Sequence, residues 1–81
     1  MAVAGFLLHT LPEDADRVEA EAASFQEITT YGVHQRQGCY VVAVAEAPGL
    51  AMEELLKRVQ GIDGVLAAYV TSMTVEDELE P

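Results

Sequence analysis

The chain has 81 residues, a hydrophobic fraction of 51% and a formal net charge of −10, from fourteen acidic against four basic side chains. That length allows one modest core, and the apolar content is too high for a disordered chain. The negative field opposes nucleic acid and anionic membrane surfaces as partners and favours a cationic one.

The first segment, Ala2 to Thr10, is short and mostly apolar and runs into Leu11-Pro12, which predicts a strand followed by a break. Pro12, Glu13 and Asp14 suit a helix opening, since proline fixes φ and carboxylates favour the positive end of the helix dipole. Ala15, Val18, Ala22 and Phe25 then recur on one stripe, predicting a helix over 13–25. Residues 26–35 contain Ile28, Thr29, Thr30, Tyr31 and Val33 and read as a second strand. Arg36-Gln37-Gly38 reads as a hairpin turn, with glycine at a φ > 0 position, and 39–46 as a third strand. After Pro48-Gly49, the residues Met52, Leu55, Leu56 and Val59 share one helical face, with Glu53, Glu54, Lys57 and Arg58 on the wet side. Glu53–Lys57 and Glu54–Arg58 are i,i+4 pairs, each worth about 0.3 kcal/mol. Gly61 ends this helix, and Val65 to Val75 forms the last strand. The domain thus spans 1–75, and the acidic tail 76–81 is expected to be disordered.

The order β-α-β-β-α-β predicts an α+β, ferredoxin-like sandwich: a four-stranded antiparallel sheet with two helices on one face. Many unrelated functions share that fold. The other sheet face must meet water or a partner. Strand parity sorts the side chains into two sets, the bulkier taken as helix-facing: Phe6 and Leu8; Tyr40, Val42 and Val44; Leu66, Ala68 and Val70. The uncovered face would then carry Gly5, Leu7, His9, Val41, Ala43, Ala67, Tyr69, Thr71 and Met73, an apolar patch of the kind that marks an interaction site. A slip or bulge would exchange these assignments.

No catalytic constellation is found. The first βα loop, Thr10 to Asp14, lacks the paired cysteines of a copper carrier, and its carboxylates would repel a phosphate. Strand aromatics occur without the basic residues of an RNA reader. His9 and His34, on separate strands, are read as solvated rather than as metal ligands. Cys39 is alone, which excludes an internal disulfide and suits a reducing compartment. No apolar run has the length of a membrane span, and Met1-Ala2-Val3-Ala4 lacks the basic start of an export signal. A cytoplasmic binding module is expected, with no enzyme activity, metal or cofactor.

Three stretches carry a resemblance: Ala2 through Pro12, Gly38 through Val44, and above all Gly61-Ile62-Asp63-Gly64-Val65-Leu66-Ala67-Ala68-Tyr69-Val70, with the acidic tail after the last strand. Together they resemble the NapD family. The resemblance implies a cytoplasmic chaperone of the periplasmic nitrate reductase catalytic subunit, NapA. Such chaperones bind its twin-arginine signal peptide and restrain export until the molybdenum cofactor is installed. A cationic–apolar peptide matches an acidic chain with an apolar sheet face. The alternatives are a small-molecule-sensing or regulatory domain and a homodimer that pairs its sheet faces or edges. A monomer or weak homodimer is expected, without stable membrane association.

Overall fold

The fold is that of a computed structural model, which describes residues 2–75; the acidic tail at 76–81 lies outside the described residues. Strand β1 (Ala2–Thr10) leads through a 3-10 turn (Pro12–Asp14) into helix α1 (Ala15–Ala23). Strands β2 (Ile28–Gln35) and β3 (Cys39–Ala47) form a hairpin, helix α2 (Gly49–Gln60) crosses back, and β4 (Val65–Val75) closes the sheet. The strand order is β2-β3-β1-β4, with every pair antiparallel. Both central strands are covered by helix on one side: α1 packs on β2 and β3, and α2 on β4, β3 and β1. This is the ferredoxin-like sandwich.

Local chemistry accounts for the element ends. Pro12 has no N–H to give and opens the 3-10 turn, in which the Asp14 N–H donates to the Leu11 carbonyl at 3.0 Å. That turn delays the regular helix to Ala15. The β2–β3 hairpin closes through Gln37 and Gly38, at φ 59° and 133°, and brings Gln35 opposite Cys39.

The core is set on a floor of small residues. Ala2, Ala4, Ala43, Ala45 and Ala47 are all buried on the helix side of β1 and β3. Bulk comes from Phe6, Leu8 and Val41 below and from Val18, Met52, Leu55 and Val59 on the helices above. Alanines let helix backbones approach closely, and native packing density then requires larger side chains from the facing layer. Phe25, at the end of the first helix's stripe, is half-buried under the Arg58 guanidinium, 5.2 Å from the ring centroid. Neither Glu53–Lys57 nor Glu54–Arg58 forms an ion pair among the described residues. Arg17 is the busy cation instead, with Asp14, Glu21 and Asp63 at 3.2, 3.6 and 3.6 Å.

Two face assignments are corrected by this arrangement. Phe6 pairs with Ala43 and Leu7 with Val42, so Val41 and Ala43 lie in the core at 0% exposure and Tyr40, Val42 and Val44 lie on the uncovered face. The bulkier set of β3 faces away because the helices sit on the alanine set. In β4, Phe6 pairs with Val70 but Gly5 with Ser72, leaving Thr71 as an extra residue. Beyond that bulge parity is reversed, and Met73 pairs with the buried Ala4 on the helix side. Leu66 and Val70, expected in the core, are 57% and 50% exposed. Leu66 is the extra residue of a second irregularity, between the His9–Ala67 and Thr10–Val65 pairs. Val70 lies toward the outer edge of the sheet.

Candidate functional site

The uncovered face is a set of cross-strand rows, because directly paired residues point to the same side. One row runs His34, Tyr40, His9 and Ala67 from β2 to β4. The next is Val42, Leu7 and Tyr69, flanked on β2 by the irregularity that contains Tyr31 and Gly32. The third is Thr29, Val44, Gly5 and Ser72, and the last Glu46, Val3 and Thr74. Tyr69 is 51% exposed, whereas Leu7, Tyr40, Val42 and Val44 are half-buried by their neighbours alone. The centre of the face is therefore apolar, with hydroxyl groups along the β4 side.

Gly5 makes a dent in that surface. A Cβ placed there would lie 2.9 Å from Ser72 Oγ and 3.2 Å from Thr71 Oγ1. The missing side chain lets both hydroxyls from the β4 bulge fold over β1, which places Thr71 on this face despite its irregular register. At the far end His9 stacks on Tyr40, with centroids 5.0 Å apart and 28° between planes. Beyond them a depression of about 330 Å³ is lined by His9, Leu11, Pro12, Gln35 and Gly38, with the buried Thr10 and Cys39 beneath.

Charge on this face is sparse and one-sided. Glu46 is the only Asp, Glu, Lys or Arg within the four strands. The basic side chains lie elsewhere: Arg17 on α1, Lys57 and Arg58 on α2, and Arg36 in the hairpin. Arg17 is held above its ordinary pKa, first by its hydrogen bond to Asp14, and its Nη1 donates to the Asp63 carbonyl at 2.8 Å. It clasps α1 to the α2–β4 loop. His9 and His34 each pair with Tyr40 from opposite sides, so two strand spacings, about 10 Å, separate their backbones, with β3 between them. Among the described residues no group of three or more His, Cys, Asp and Glu is placed to hold a metal. No helix of the described residues is long and apolar enough to cross a membrane.

Of the residues expected here from sequence, the structure brings Gly5, Leu7, His9, Ala67, Tyr69 and Thr71 together on one surface, and withdraws Val41, Ala43 and Met73. Tyr40, Val42, Val44 and Glu46 were missed. The signal for them was the alternation of alanine at 43, 45 and 47, matched by Ala2 and Ala4, which marks the helix-facing floor.

The described residues thus form a ferredoxin-like sandwich whose helices cover one sheet face and leave the other, largely apolar, bare. Its sequence matches the family described as NapD protein over residues 1–77, and the chain belongs to that family. In structure it is similar to the E. coli Tat proofreading chaperone NapD, solved in solution, at a TM-score of 0.74 and 17% identity over 96% of this chain and 82% of that one. No curated protein matches the sequence.

Proposed function

We propose that this NapD-family chain is a cytoplasmic maturation chaperone that binds the twin-arginine signal peptide of NapA, the periplasmic nitrate reductase catalytic subunit. Holding the peptide restrains export until the cofactor is inserted. The chain acts by binding one peptide rather than by catalysis, and neither nucleic acid nor membrane takes part. The E. coli neighbour is described as a Tat proofreading chaperone, which supports the chaperone role. The single observation that carries the reading is the bare face itself: Leu7, Val42, Val44, Tyr40 and Tyr69 form an apolar centre without a lysine or arginine in any strand. On a chain of net charge −10, that surface suits a segment that is cationic at one end and apolar along its length.

Gly5, Leu7, His9, Ala67, Tyr69 and Thr71, joined by Tyr40, Val42 and Val44, would contact the peptide. Titration calorimetry with the NapA twin-arginine peptide tests this. A 1:1 complex that is lost in Leu7→Glu and Tyr69→Ala but kept in variants of the exposed side of α1 supports it. No heat at low salt rejects it. A thermal shift with an amino acid but none with the peptide would transfer the case to a small-molecule sensor.

A further inference from the structure

The uncovered face is electrically polar along the strand direction. At one end stands Glu46, opposite Val3, and its N–H donates to the Glu27 carbonyl at 2.9 Å, so a second exposed acidic residue begins at that corner. At the other end are His9 and His34, with Arg36 in the turn just beyond them. Glu46 lies six positions after Tyr40 along β3, which is about 20 Å of extended chain. An apolar helix of about 13 residues has the same length. Several other carboxylates belong to the helix layer, where Arg17 engages Asp14, Glu21 and Asp63.

We infer that a cationic–apolar peptide lies on this face in one direction only, its arginines over Glu46 and its apolar stretch running toward the His9–Tyr40 stack. The inference rests on the binding reading above and adds the orientation and the side chain that sets it. Guanidinium groups gain charge-assisted hydrogen bonds at the Glu46 end. The reverse placement sets them beside Arg36 and lays apolar side chains on a carboxylate, losing the pairing and costing desolvation of Glu46. Leu7, Val42 and Val44 accept apolar contact in either direction, so affinity for the apolar part does not choose between them. Glu46 does.

The test uses the full chain, isotope-labelled for NMR, and a synthetic peptide of two adjacent arginines followed by an apolar stretch, carrying a nitroxide at one end or the other. The nitroxide beside the arginines should broaden the amides of Val3 and Glu46. The nitroxide at the apolar end should broaden those of His9, Tyr40 and Ala67. Glu46→Gln should weaken the peptide about two- to fivefold, and Glu46→Lys by more, while Glu53→Gln on α2 leaves affinity unchanged. Inverted broadening with affinity intact overturns the orientation and leaves the chaperone reading standing. Equal loss in Glu46→Gln and Glu53→Gln overturns the role of Glu46. Absence of any complex overturns the binding reading and the orientation with it. A dispersed amide spectrum for each variant establishes that it is folded.

Discussion

His9 and Tyr40 face each other across β1 and β3 on the uncovered face, their rings stacked with centroids 5.0 Å apart. An offset ring pair contributes roughly 0.5–1.5 kcal/mol beyond the area it buries. Tyr40 is half-buried and lies outside the helix-side core cluster, so Tyr40→Ala should leave the fold intact and lower the melting temperature by several degrees. Removing the ring should weaken peptide affinity about fivefold or more if it is a contact. Calorimetry beside a thermal melt checks this; unchanged affinity removes the stack from the binding surface.

Val41 and Val42 are neighbours in sequence with opposite surroundings. Val41 is wholly buried among the core residues, while Val42 stands opposite Leu7 on the bare face. Val41→Ala should cost about 2 kcal/mol of stability, as lost burial plus a residual cavity, and leave peptide affinity unchanged. Val42→Glu should do the reverse, keeping a cooperative melt and abolishing the complex. Denaturant unfolding and calorimetry on the two variants resolve the faces. The opposite result would restore the parity first expected from side-chain bulk.

That parity marks where the sequence ceased to be legible. Strand and helix positions were readable because Ala15, Val18 and Ala22 repeat at helical spacing and 39–46 is a short apolar, valine-rich run between a glycine turn and Pro48-Gly49. The chain of β1 was also readable on both faces, since Phe6 and Leu8 do point to the helices. Alternation in β3 yields two sets but does not say which one a helix will cover, and bulk is a poor guide where helices rest on alanine. In β4 the decisive event is the extra residue Thr71, flanked by Val70 and Ser72 with no glycine or proline to announce it. Met73 therefore changed sides unannounced. Glu46 could be placed only once its pairing with Val3 was known.

Ala43 shows why the alanine floor is a structural requirement. It is fully buried, paired with Phe6, and belongs to the cluster that includes Met52 and Val59. Ala43→Leu should cost about 1–3 kcal/mol by overpacking, read as a lower denaturation midpoint. At Val44, one residue on, the half-buried side chain lies on the bare face, and Val44→Leu should be nearly neutral in the same measurement. Equal costs at the two positions would contradict the close seating of the helices.

Arg17 should matter for the scaffold and not for the ligand. Its guanidinium joins Asp14 and Glu21 to the Asp63 carbonyl, yet the side chain is largely open to water, where such pairs contribute little. Arg17→Ala is expected to lower thermal stability modestly and to increase hydrogen exchange at the α2–β4 loop. Peptide affinity should not change, because the loop lies on the helix side. A loss of affinity comparable to that of Tyr40→Ala would place part of the binding surface on the helices.

Salt separates the two forces proposed to hold the peptide. A chain of net charge −10 attracts a cationic segment over distances of the Debye length, about 10 Å at 0.1 M salt and about 3 Å at 1 M. Long-range attraction acts chiefly on the encounter, whereas contacts with Leu7, Val42 and Tyr69 are made only after docking. Raising salt from about 0.05 to 0.5 M should therefore slow association on the order of tenfold, with a much smaller change in dissociation. Glu46→Gln should flatten part of that salt dependence, and Val42→Ala should speed dissociation with the salt slope unchanged. Stopped-flow measurements of both rates distinguish these effects. A complex whose dissociation alone responds to salt would mean that charge pairs, not the apolar centre of the sheet, set its lifetime.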